Sequence, residues 1–195
     1  MNLTALLFGI VPLVVFVIVD SFSGLRTALI TAIVLALLET GLSLYLFGEI
    51  DGVTAVSLVL VIGMAAVSYY TESSIYFKVQ PAILSLLFGV TFLVTYWMEQ
   101  PILYTMAMKY KEQLPPMMGL QLSLPLMQKM LQVVTHFAGY AMLAHGLLVG
   151  WAAVKLSNWW WITIRVVGLY LFLGISVFIT RWYVMGQYPG LITLP

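Results

Sequence analysis

Apolar residues in this chain come in long unbroken runs, and polar or charged residues gather between the runs instead of alternating with them. A bilayer core of ~30 Å is crossed by about 20 apolar helical residues, and six runs approach that length. The first is Leu3 to Val19, closing at Asp20-Ser21, and the second runs from Leu25, just after Gly24, to Phe47. Glu49-Ile50-Asp51-Gly52 separates it from the third, Val53 to Tyr70. The fourth starts at Pro81, a favoured first helical residue, and ends at Met98; the fifth is Leu131 to Val154 and the sixth Trp159 to Trp182. Tyr69-Tyr70, Tyr96-Trp97, Trp159-Trp160-Trp161 and Trp182-Tyr183 lie at predicted span ends, where aromatic belts sit.

The one long connection, residues 99–130, carries a different pattern. Ile102, Leu103, Met106 and Tyr110 share a helical face, with Thr105, Lys109 and Glu112 opposite, as in a helix lying in the membrane interface. Pro115-Pro116 ends this predicted helix of Ile102 to Gln113, and Pro125 restarts the chain toward the fifth span. The predicted fold is therefore an all-α integral membrane protein. It is a bundle of six transmembrane helices, or five if the first run lies in the interface, plus one interfacial amphipathic helix. Residues 1–195 form a single membrane domain, with 99–130 as an interfacial cytoplasmic loop.

Composition closes off the alternatives. Hydrophobic residues make up 63% of the chain and charged residues 8%, against about 45–50% and about 25% in soluble domains. Eight basic and seven acidic side chains cannot cover a soluble globule of 195 residues. A net charge of +1 without a basic cluster leaves no nucleic-acid footprint. With no cysteine, disulfides, thiolate metal sites and Cys nucleophiles are excluded. Met1-Asn2-Leu3 lacks the basic start of a cleavable signal peptide, so the first run is expected to stay as an anchor. In the six-span arrangement Lys109, Lys111, Lys129 and Arg181 fall on the side of both termini, and Arg26, Lys78, Lys155 and Arg165 on the other. The count is tied. The long basic loop breaks the tie and places both termini in the cytoplasm.

Ordered motifs along the chain resemble those of the septation protein A (YciB/IspZ) family of bacterial inner-membrane proteins. Pro12-Leu13-Val14-Val15-Phe16 is similar to the family's Pro-Leu-Val-Val-Phe opening. Phe77-Lys78-Val79-Gln80-Pro81-Ala82-Ile83-Leu84 resembles its Ile-Lys-Trp-Lys-Pro-Thr-Ile-Leu segment, with Val79 and Gln80 as departures. Pro101-Ile102-Leu103 and Leu122-Ser123-Leu124-Pro125 are similar to Pro-Leu-Ile and Leu-Thr-Leu-Pro. Trp161-Ile162-Thr163-Ile164-Arg165-Val166-Val167-Gly168 resembles Trp-Val-Asn-Phe-Lys-Val-Phe-Gly. The connection at 99–130 is longer than the family's, and the turn between the second and third spans is acidic where the family's is basic. The resemblance implies a divergent multi-pass inner-membrane member that supports envelope integrity, membrane homeostasis and septation. Its implied partners are membrane lipids and envelope-assembly or division membrane proteins. It implies no catalytic residue, cofactor or metal, so the chain is not expected to be an enzyme.

Few residues stand out for chemistry. Glu39 lies about 14 residues into the second run, roughly 21 Å along a helix, where a carboxylate costs about 2.5–3.5 kcal/mol on insertion scales. It is either functional or a group that is protonated or snorkels, with Thr40, to the near interface. His136 and His145 bracket it in predicted depth, so Glu39 and His145 would be the working groups of the alternative function, a small proton-coupled transporter. A hydrogen-bonded polar plug is the competing reading. Gly146 and Gly150 form a GxxxG, with Gly139 one heptad earlier; close packing against a neighbouring span is expected there. Seven of the eleven methionines fall between Met98 and Met130. Without His or Cys beside them they suit an adaptable lipid or partner surface better than copper; Met106, Lys109, Met117 and Met118 are its candidate contacts. Arg26, Lys78 and Arg165 share a predicted side with the Trp159–Trp161 run, where they either hold lipid phosphates or anchor the interface.

Overall fold

A computed structural model describes residues 11–48, 52–113 and 115–188. Among them there are helices and no strand. In chain order they are α1 (Val11–Ser23), α2 (Leu25–Phe47), α3 (Gly52–Thr71), α4 (Ile75–Trp97), α5 (Ile102–Lys109), a 3-10 turn (Lys111–Gln113), α6 (Pro116–Leu122), α7 (Pro125–Lys155) and α8 (Asn158–Gln187). The five helices α2, α3, α4, α7 and α8 are long and apolar enough to cross a membrane. Most of the first predicted run lies outside the described residues or in α1, whose described part has 13 residues.

Helix ends follow backbone chemistry. α1 and α2 are joined by Gly24 alone, at φ 82° and ψ 166°, a region open essentially to glycine. The chain turns there, so that Phe16 and Val17 of α1 share a buried cluster with Ala28, Leu29 and Ala32 of α2. Gly48, at φ 76°, closes α2 with its N–H on the Leu44 carbonyl. α3 and α4 end alike: Ser73 N–H bonds the Ser68 carbonyl and Gln100 N–H the Thr95 carbonyl, each spanning a left-handed residue. That residue is Glu72 in one case and Glu99 in the other, at φ 54° and φ 60°.

Several predicted boundaries move. The fourth span begins at Ile75, not Pro81, which lies inside α4. The physical reason is a remote cap. The Phe77 N–H, one of the first-turn donors that a helix cannot satisfy internally, is accepted by Ser68 Oγ of α3 at 2.8 Å. That bond anchors an extra helical stretch ahead of the proline. The fifth span starts at Pro125 and runs to Lys155, and the sixth extends from Asn158 to Gln187. The single amphipathic helix of 102–113 is α5 followed by a 3-10 turn, and Pro116 opens a further helix, α6, instead of ending one. Proline there fits a first-turn position, whose N–H has no helical acceptor.

The chain divides into two compact units. The first comprises Met1–Leu84 with Leu148–Val166, the second Ser85–Leu147 with Val167–Pro195. α4, α7 and α8 therefore contribute residues to both. The first unit has a buried cluster of Phe16, Val17, Leu29, Ala65, Phe77, Val149, Trp161 and neighbours; the Phe16 and Phe77 rings are 4.5 Å apart. Gly150 of α7 sits 3.6 Å from Ala82 of α4, measured from an added Cβ.

In the second unit α4 and α7 run antiparallel with one consistent register. Ser85 bonds His145, Gly89 faces Leu143, Leu93 faces Gly139, and the Tyr96 ring lies 4.4 Å from that of His136. The expected small-residue face of α7 is thus packed against a neighbouring span of the same chain. Each leucine fills the gap left by the glycine opposite, which lets the two backbones approach closely.

Candidate functional site

Three sequence-distant segments meet at one end of the first unit: the end of α1, the start of α4 and the start of α8. Asn158, the first residue of α8, donates through Nδ2 to Asp20 Oδ2 at 2.6 Å. Asp20 is also the charge acting on the Lys78 ammonium. Lys78 lies in the first turn of α4 and is only 6% exposed. Its ammonium donates no hydrogen bond to any described residue. Trp161 stands one turn into α8, completely buried, and its Nε1 has no hydrogen-bond partner. Arg165 follows one turn later on the same face of α8 and is engaged within the fold.

A second polar group flanks the first on the exterior. Arg26, at the start of α2, pairs with Glu72 beyond the end of α3, and its guanidinium lies 5.3 Å from the Tyr69 ring centroid. Both members of the pair are open to solvent, at 61% and 70% side-chain exposure. The ion pair is therefore worth little on its own.

These positions refine the expectations for the basic side chains. Arg26 is exposed, as an interface anchor would be, whereas Lys78 is enclosed by the helices. Within the tryptophan run, Trp159 and Trp160 are exposed, but Trp161 belongs to the buried cluster and is not an anchor. The reason is rotation: 158, 161 and 165 lie on one helical face and 159 and 160 on another.

Intramembrane acid and histidines are not brought together within a unit. Glu39 lies in the first unit, half-buried, and its carboxyl bonds no described residue. His136 and His145 lie in the second. His145 is buried, shares a 3.1 Å hydrogen bond with Ser85, and has the Phe172 ring at 6.0 Å. His136 sits among aromatic rings, with Tyr96 at 4.4 Å and Tyr140 at 4.9 Å. Its Nδ1 is buried without a hydrogen bond among the described residues.

Neither α5 nor α6 buries a residue. Met98, Met106, Met117, Met118, Leu120 and Leu124 are all exposed. Lys109 is exposed too, its Nζ 5.5 Å from the Tyr110 ring. Where the connection enters α7, Lys129 reaches over Tyr188 of the α8 end at 4.8 Å.

Ser68, Ser85, Asn158 and the buried Trp161 carry this geometry without standing out in the sequence. Their partners are 9, 60 and 138 residues away for the three hydrogen bonds, so no local pattern marks them. The only sequence signal was indirect. Phe16, Lys78, Trp161 and Arg165 all belong to segments with family-like motifs, and those segments meet in this unit.

Comparison with known proteins agrees with that convergence. The family model described as intracellular septation protein A matches residues 4–189. The inner membrane-spanning proteins YciB of two strains of Acidithiobacillus ferrooxidans are each 30% identical over 98 residues, covering 50% of this chain and 53% of the relative. The chain thus spans about half the length of the curated relatives it matches. No solved structure matches it.

Proposed function

Because the chain belongs to the intracellular septation protein A family, we propose that it works as a multi-pass inner-membrane scaffold that supports envelope integrity, membrane homeostasis and septation. It does so by contact with lipids and with envelope-assembly or division membrane proteins, without catalysing a reaction. In this reading both termini and the 99–130 connection face the cytoplasm.

The observation that supports this reading is the connection itself. Two short helices tethered between membrane-crossing helices expose Met106, Met117, Met118 and Leu120 while burying nothing. Flexible thioether side chains repack against varied partners, and exposed apolar patches rimmed by charge mark interaction surfaces. Lys109 and Lys111 supply that rim, and they also favour an anionic membrane surface.

Site-specific photo-crosslinking in cells tests the proposal. A photoreactive residue at Met117 is expected to give a discrete adduct with an envelope or division membrane protein. The same residue at Val59, an exposed position on α3, is expected to label lipid alone. Equal labelling at the two positions, or none at Met117, would overturn the scaffold reading.

A further inference from the structure

The connection between α4 and α7 concentrates the sulfur of the chain. Seven of the eleven methionines fall between Met98 and Met130, and there is no cysteine. Thioethers are therefore the only sulfur groups, and no thiol stands in front of them as a competing target for an oxidant. In α5 and α6, Met106, Met117 and Met118 are 51%, 76% and 55% exposed. These two helices lie outside the membrane-crossing helices. Met142, by contrast, is only 8% exposed and sits within the crossing helix α7.

Local packing fixes that exposure. On α6 the residue that faces the 3-10 turn is Gly119, where an added Cβ would lie 3.5 Å from the Lys111 carbonyl oxygen. Met117 and Met118 just before it and Leu120 just after it are all turned outward. Neither α5 nor α6 buries a residue, so a change of polarity on these side chains leaves the interior of the unit intact. The surface they form is useful for docking only while it is apolar. Oxidation of a methionine to its sulfoxide turns a flexible apolar side chain into a polar one and disrupts Met-rich contacts.

We propose that Met106, Met117 and Met118 form a modification site at which a peroxide switches this docking surface off. The proposal rests on the scaffold reading above and adds its regulation. A lone pair of the thioether sulfur attacks one peroxide oxygen, so that an S–O bond forms and the O–O bond breaks. The transferred hydroxyl gives its proton to the departing hydroxide, which leaves as water. Sulfur loses two electrons and the peroxide gains them. Each sulfoxide puts an acceptor oxygen on the contact face, and a contact that buries it unpaired is weakened roughly 10-fold. Sulfoxide reductases return the thioether, which makes the change reversible.

The test uses the full chain. In lipid nanodiscs, hydrogen peroxide is added and peptide mass spectrometry follows the sulfoxide at each methionine. Met106, Met117 and Met118 are expected to oxidise roughly 10-fold faster than Met142, or more, with the melting temperature unchanged. Rates equal to that of Met142, or unfolding in step with sulfoxide formation, would overturn the proposal. In cells, a photoreactive residue at Leu120, which is exposed, leaves the methionines in place. Its adduct yield is expected to fall roughly 10-fold after peroxide treatment of the parent. In the triple variant Met106→Leu, Met117→Leu, Met118→Leu, which keeps size and apolarity without an oxidisable sulfur, the adduct is expected to survive the same treatment. A parent adduct unchanged by peroxide, or one lost equally in the triple variant, would overturn the proposal. Absence of a protein adduct in untreated cells would overturn the scaffold reading instead, and the effect of oxidation is then read on the lipid adduct at Leu120. Absence of any adduct there would overturn both.

Discussion

Gly89 gives the sharpest test of how the second unit is held together. An added Cβ there would lie 2.7 Å from Leu143 Cδ2, 2.8 Å from Cγ and 2.9 Å from the Leu143 backbone nitrogen. A leucine tip can rotate away, but the backbone of α7 cannot move without shifting its whole helix. Overpacking of this kind costs about 1–3 kcal/mol, offset by up to about 1 kcal/mol for alanine over glycine in a helix. Gly89→Ala should therefore lose about 1–2 kcal/mol net, a fall in melting temperature of roughly 2–8 °C for a chain of this length. At Gly139 the close atoms are the Leu93 side chain at 2.8 Å, with the Gly89 carbonyl oxygen at 3.3 Å; Gly139→Ala should cost less, because a side chain can yield. Gly63 has nothing within 4 Å, so Gly63→Ala should be neutral or stabilising. The assay heats a detergent-solubilised fluorescent fusion and follows the folded fraction by size-exclusion chromatography. In the Gly89→Ala, Leu143→Ala cycle the double variant should be less destabilised than the sum of the singles by more than about 0.5 kcal/mol. If Gly89→Ala melts at or above the parent, the antiparallel seam of α4 and α7 is wrong.

Two further predictions concern helix ends in the connecting turns. Ser68→Ala removes the acceptor of the Phe77 N–H and should cost about 1–2 kcal/mol, seen as faster hydrogen exchange at the start of α4; unchanged exchange there would contradict the capping role. Glu99 holds a left-handed backbone conformation at φ 60°, which costs a non-glycine residue about 1 kcal/mol. Glu99→Gly should therefore raise the melting temperature by a few degrees, whereas Glu72→Gly, which also severs the pair with Arg26, should gain less; the reverse order would count against the argument.

Length, apolarity and the placement of glycine and proline are local quantities, and they were readable directly. They give the long crossing helices, the end of α2 at Phe47, the tight break at Gly24 and the distinct character of the Met-rich connection. Boundary errors arose where a distant group changed the local rule. Pro81 reads as a helix start until Ser68, on another helix and nine residues before the Phe77 N–H it accepts, caps the stretch ahead of the proline.

What the chain order alone could not decide is which face of each helix turns inward. In a soluble helix the apolar stripe marks the buried face. Lipid is as apolar as a protein interior, so helices such as α2 and α8 are hydrophobic all round and the mark is lost. Hence Trp161 looked equivalent to Trp159 and Trp160 yet is the one that is buried, and Lys78 looked like a headgroup lysine yet is enclosed. Depth along each helix is legible from residue count, whereas the membership of Glu39 in the first unit and of the two histidines in the second comes from packing. The sequence determined a membrane-crossing helical chain of a recognisable family. Tertiary packing decided which few polar groups meet, because only three-dimensional proximity can pair Asp20 with Asn158 across 138 residues.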